Sequence, residues 1–183
     1  FSFAGLEVLK NADVVVLFSR RIALPHAQMQ LFKNYLKKGG SLVAIRTGNH
    51  AFTTRGEVGK DYTSWPEFVP EILGCGNYGY GPVALGTEVS VVLDNAKHPI
   101  LKNVKPYHSE GNLYMVQPLE DKKAVVLLNG KAGDALQPVA WTRYAGKSPV
   151  FYTTLGYPAD FSTDSFNMLL TNAIRWAVDQ KTK

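Results

Sequence analysis

The stretch SLVAIRTGNHAF, residues 41–52, ends with Arg46, Asn49 and His50 close together, and each offers a different polar contact. A guanidinium stays protonated and presents a planar fork of donors, which suits a carboxylate, a phosphate or sugar oxygens but cannot attack a carbonyl. His50 adds an imidazole that can take or give a proton near neutral pH. A second group lies in HPILKNVKPYHSEGNLYMV, 98–116, where His98, His108 and Glu110 are the residue types that proton transfer needs. His and Glu are also ordinary metal ligands, yet a spacing as common as HSE does not argue for a metal, and none is assigned. LGCGNYGYGPV, 73–83, places Tyr78 and Tyr80 among glycines, aromatic faces that would suit the C–H face of a sugar ring. TTLGYPADF, 153–161, supplies Tyr157 for stacking or a phenolic hydrogen bond, with Asp160 beside it.

Every one of these has a structural rival. Arg46 could pair with a buried acid such as Glu110 or Asp160 and only fix loops. His98 precedes a proline and could be a turn residue. Cys75, flanked by glycines and far in sequence from any His, reads as a buried thiol.

The elements that must position these residues follow from hydrophobic periodicity. ADVVVLF (12–18) and SLVAI (41–45) are short, continuous, Val- and Ile-rich runs, the mark of strands covered on both faces. Between them LPHAQMQLFKNYLKKGG opens at Pro25, sets Met29, Phe32 and Leu36 on one face and stops at Gly39-Gly40, which completes a β-α-β unit. KAVVLLN (123–129), QPVAWTRY (137–144) and SPVFYTTL (148–155) read as three more strands, the last two joined by a hairpin at AGK. The closing helix is expected over 163–178, with Phe166, Leu169, Leu170, Ala173, Ile174 and Ala177 on its apolar face. Strands at 12–18, 41–46 and 123–128 are expected as neighbours or near neighbours. Residues 49–118 are rich in Gly, Pro, Tyr and His with little long periodicity, and irregular stretches of this kind build sites. Because open α/β sheets bind ligands beyond the carboxyl ends of their strands, Ser19–Arg20, Arg46–His50 and Gly156–Asp160 should converge there.

Composition bounds the rest. The chain has 183 residues, 45% apolar and 19% charged, enough for one domain with a continuous core. The net charge of +5 is spread out, whereas a nucleic-acid surface shows as a clustered basic stripe, so nucleic acid is not an expected partner. No run approaches the roughly 20 apolar residues of a membrane helix, and a membrane is not expected either. One cysteine forbids an internal disulfide. The first residue is Phe1, so the single domain at 1–183 is read either as a whole or as a module of a longer chain.

LKKGGSLVAIRTGNHAF, HPIL followed by SEGNLY, PVAWTRYAGKSPVFYTTLGY and FNMLLTNAIRWAVD, in that order over about residues 12–179, resemble the ThuA-like family, named for trehalose utilisation. The resemblance implies an α/β flavodoxin-like three-layer sandwich with a mostly parallel central sheet, in the class I glutamine amidotransferase-like variant. It implies that Glu110 and Tyr114 return toward the turn after 41–45. Amidotransferases of this fold carry ICxG at that elbow, and here IRTG puts Arg46 in the nucleophile's position, which excludes their cysteine chemistry. The family commonly has a His at the elbow and another after LG, where this chain has Arg46 and Tyr157. The expected function is therefore a domain of carbohydrate catabolism that binds or transforms a sugar or oxidised sugar. Glu110, His50 and His108 would be its proton carriers, with Arg46, Asn49, Tyr80, Tyr114, Tyr157 and Asp160 on the ligand. The alternative is a carbohydrate-binding or accessory module without chemistry. The expected partner is a small sugar or sugar derivative. Cofactor, homo-oligomerisation, and a cytoplasmic as against a secreted or periplasmic bacterial location are left open.

Overall fold

The computed structural model describes residues 2–181 and builds its core on a seven-stranded sheet in the order β1 (Val14–Leu17), β3 (Ser41–Ile45), β9 (Ser148–Thr153), β8 (Ala135–Ala145), β7 (Val125–Ala132), β5 (Thr87–Val91), β6 (Tyr107–Ser109). The first three strands of that order, β1, β3 and β9, run parallel. All five residues of β3 and all six of β9 are buried, as continuous apolar runs demand when both faces are covered. Leu42 and Ala44 point into one apolar cluster with Met29, Phe32, Tyr35 and Leu36 of α1 (His26–Lys37). Val43 and Ile45 point into the other, with Phe166, Leu169, Ala173 and Ala177 of α2 (Asp164–Lys181). The period-two alternation of β3 thus welds a helix onto each face of the sheet.

The other half of the sheet is antiparallel. β8 (Ala135–Ala145) turns into β9 through a hairpin that pairs Ala145 with Ser148, and Gly146 takes φ 62° at the bend. β7 (Val125–Ala132) pairs with β8, then β5 (Thr87–Val91) with β7, then β6 (Tyr107–Ser109) with β5. The sheet is therefore mixed, not mostly parallel as expected, and the parallel arrangement holds in the half that carries the elbow. The strand expected at 123–128 is separated from β3 by two strands, β9 and β8.

Residues 49–118 are more regular than their composition suggests. They hold β5, β6 and the short β4 (Tyr62–Thr63), which pairs with β2 (Leu24–Pro25), besides several single-turn helices. β5 alternates buried and exposed residues, a half-covered strand of only five residues. Trp65, Trp141 and Trp176 are all buried, in keeping with structural roles.

Candidate functional site

The chain leaves β3 through an abrupt bend. Arg46 follows Ile45 with φ 41°, a left-handed conformation that costs a side-chain-bearing residue energy and is uncommon outside Gly, Asn and Asp. A short 3-10 helix, Arg46–His50, continues from it. The neighbouring loops hold it in place. Thr47 Oγ1 donates to the Ser19 carbonyl at 2.7 Å, and Arg21 and Ile22 donate their backbone N–H groups to the carbonyls of His50 and Ala51. From the third loop Gly156 packs so closely that a Cβ there would lie 2.6 Å from Ile45 and 3.5 Å from Arg46 Cβ. The segments after β1, β3 and β9 do converge at the carboxyl edge.

Arg46 is 8% exposed, yet no carboxylate among the described residues pairs with it. One terminal nitrogen donates to the Thr154 carbonyl at 3.1 Å and the other to Asn112 Oδ1 at 2.8 Å, fewer acceptors than a guanidinium has N–H groups. Its carbon sits 4.8 Å from the ring centroid of Tyr114 and 5.5 Å from that of Tyr157, within cation–π range of both. Gly111 makes this position available: a Cβ on it would meet Arg46 Nη1 and Tyr157 Cβ at 2.8 Å.

His50 lies beside this group, 3% exposed, with its ring 6.4 Å from Tyr114 and 6.5 Å from Tyr80. The two tyrosines meet edge to face at 4.6 Å across an isolated backbone bridge that ties the Gly-rich loop to the 113–116 segment. His50 Nδ1 is 2.5 Å from Asn49 Oδ1; an amide oxygen only accepts, so Nδ1 carries the proton and Nε2 is left as an acceptor. Burial, together with the charges of Arg21, Arg20, Arg55 and Arg46, lowers its pKa from 6.5 to about 4. At neutral pH it is an uncharged imidazole.

Arg46, Asn49, His50, Tyr80, Tyr114 and Tyr157 are thus brought together. The remaining candidates are not. His108 stands on β6 opposite Glu88, with Nδ1 and Oε1 2.6 Å apart in an exposed cross-strand pair. Glu110 is exposed and makes no ion pair, although the adjoining Gly111 touches Arg46. Asp160 is 1% exposed, and its Oδ2 accepts from the backbone N–H groups of Gly156 and Tyr157 at 2.7 and 2.9 Å. It braces the last loop from inside. Neither acid holds Arg46, so the alternative reading of it as a strut to Glu110 or Asp160 is not what the structure shows. His98 accepts from the Ile100 N–H and packs near Trp176, a cap and not a catalyst. Cys75 is fully buried, and desolvation pushes its thiol up to about 12.

Arg21 and Arg55 were legible only as single charges scattered along the sequence. Arg21 stands beside Arg20, just past β1, in the segment expected to converge on the elbow. Two hollows lie elsewhere: about 450 Å³ near Leu9, Tyr35 and Gly40 at the amino end of β3, and about 700 Å³ near Pro118 and Asp121. Neither is lined by the elbow residues. Among the described residues no three of His, Cys, Asp and Glu gather as a metal site would require.

The model of the ThuA family, described as trehalose utilisation, matches residues 2–177. The chain belongs to the ThuA family. Solved structures similar to this ThuA domain include a protein of Bacteroides uniformis designated ThuA-like, at TM-score 0.70 and 23% identity, covering 94% of this chain and 71% of that one. Another designated ThuA-like, from Parabacteroides merdae, gives 0.67 at 17% identity, with 93% and 71% covered. A cytoplasmic protein of Salmonella typhimurium gives 0.66 at 14%, with 94% and 74% covered. At these identities the likeness is one of fold. No curated protein gives a significant match.

Proposed function

We propose that this ThuA domain binds a sugar or an oxidised sugar at the carboxyl edge of β3, on the flavodoxin-like, class I glutamine amidotransferase-like plan its motifs resemble. The observation that carries the reading is the Arg46 guanidinium, buried between Tyr114 and Tyr157 without any carboxylate to neutralise it. Unused N–H donors suit hydroxyl, carbonyl or carboxylate oxygens, and the tyrosine faces suit the apolar side of a pyranose. His50 Nε2 is then an acceptor for a sugar hydroxyl. Asn49 and Tyr80 extend the same surface. The family description makes trehalose and its derivatives the first ligands to try.

Binding is favoured over chemistry by the state of the proton carriers. An imidazole with pKa about 4 is a feeble base at neutral pH, and His108 is already engaged by Glu88. Glu110, exposed beside Gly111, is the acid available for transfer if turnover is retained. Cysteine-nucleophile amidotransferase chemistry has no residue to perform it at this elbow.

The test is a thermal-shift and calorimetric screen of trehalose, glucose, keto-sugars and sugar acids against the wild-type chain and Arg46→Gln. A ligand selective for the native state must raise the melting temperature, and the rise should vanish in the variant. Prolonged incubation followed by NMR of the sugar separates binding from conversion. A screen in which no carbohydrate moves the melting temperature would remove the proposal.

A further inference from the structure

We propose that Arg20, Arg21, Arg46 and Arg55 form an oxyanion subsite at the elbow, which takes the carboxylate or phosphate of an anionic sugar derivative. The inference rests on the sugar-binding reading and narrows its ligand class.

Four guanidinium charges act on His50, and three of them, Arg46, Arg20 and Arg21, also act on the Tyr114 phenol. They form a gradient from solvent to interior: Arg20 and Arg55 are exposed, Arg21 is half-buried and Arg46 is buried. Such an array steers an anion inward from its rim. No ion pair among the described residues involves Arg20, Arg21, Arg46 or Arg55. The ion pairs among the described residues join His108 to Glu88 and Arg143 to Asp121, both apart from the elbow. Asp160, the acid built into the adjoining loop, spends Oδ2 on two backbone N–H groups.

The buried atoms left without partners point the same way. Arg21 Nε and Asn49 Nδ2 are two such atoms, and the segments bearing them are joined by the hydrogen bond from Arg21 N to the His50 carbonyl. Both are N–H donors. Buried donors normally have acceptors, and an orphan pair amid uncompensated positive charge calls for an anionic one. A carboxylate or a phosphate satisfies several such donors at once through charge-assisted bonds, which a neutral hydroxyl cannot. Arg21 and Arg46 both adopt left-handed backbone, φ 53° and 41°, uncommon for side-chain-bearing residues, on two segments that meet at the Arg21 N to His50 carbonyl bond.

The experiment titrates glucose, trehalose, glucuronate, glucose 6-phosphate and inorganic phosphate into the intact chain at matched ionic strength. It follows heat and the His50 ring signals by NMR. At least one charged sugar should bind about tenfold or more tightly than glucose, a difference of about 1.4 kcal/mol. That advantage should shrink at high salt and in Arg21→Gln and Arg55→Gln. Arg55 is exposed, so its variant tests the charge without threatening the fold. Preference for glucuronate assigns a carboxylate, and preference for glucose 6-phosphate assigns a phosphate. Equal affinity for neutral and charged sugars overturns the subsite while leaving sugar binding intact. A response to inorganic phosphate, lost in both variants, with no response to any sugar keeps the subsite and removes the sugar reading. Silence toward every probe removes both.

Discussion

The Tyr152 hydroxyl, on a fully buried ring in β9, donates a 2.8 Å hydrogen bond to the Arg46 carbonyl. That bond ties the strained residue of the elbow to the strand beside it. Tyr152→Phe keeps the ring and its packing against Trp141 but leaves a buried carbonyl without its donor. The expected loss is about 1–3 kcal/mol in urea denaturation. A cost within error of zero would mean that another donor replaces the phenol.

Arg46 separates two physical costs. Its guanidinium serves a carbonyl and an amide oxygen, with no acid, so Arg46→Ala should lose about 1–3 kcal/mol. Breaking a buried ion pair would cost more, about 3–5 kcal/mol. Arg46→Gly loses the same bonds but relieves the left-handed backbone, and should be more stable than the Ala variant by about 1 kcal/mol. Parallel urea melts read the difference, and a Gly variant no better than Ala would show that the bend is unstrained.

His50 gives the pH dependence. Its folded pKa of about 4 lies below the ordinary 6.5, so the unfolded chain takes up a proton that the folded chain refuses. The stabilisation is complete above about pH 6.5 and is lost as pH falls toward 4. His98 is lowered too, by burial, and adds a loss of the same sign. The informative quantity is therefore the difference between wild type and His50→Gln in denaturation midpoints from pH 7 to 4. The variant should lose less on acidification; an identical slope would take the shift away from His50.

Cys75 should be inert in the native chain. Its thiol is buried and raised to about 12, so very little thiolate exists at pH 8 and a reagent cannot reach it. Titration with a disulfide reagent should show one reacting thiol in urea and none without it. Rapid native labelling that also blocks ligand binding would relocate the site.

The residues that could be read from the sequence were those whose position follows from strand ends. β3 is a buried run with a sharp stop, and its elbow is fixed by local pattern. Arg46, Asn49 and His50 therefore stood out. The direction of a side chain on a short strand was not legible. Along β6 exposure alternates, so His108 faces outward to Glu88 while Ser109, one step on, is buried. A one-residue change of phase would reverse them. Beyond the β8–β9 hairpin, the strand order was not legible, because it depends on pairings between distant segments. Asp160 illustrates the same limit: its residue type suits a ligand, yet the backbone amides beside it bind its carboxylate first.

The last strand of the sequence is one of the innermost of the sheet. β9 pairs with β3 across a gap of about a hundred residues and with β8 on its other side. A ribosome that has already released Arg46 must deliver Tyr152 and Thr154 before the elbow receives its braces. Until then the inner edge of β3 stays open, an apolar strand whose intended neighbour does not yet exist. Interrupted synthesis would leave nascent chains with a templating edge, vulnerable to misassembly and in need of a chaperone. The elbow is thus made well before the strand that finishes it.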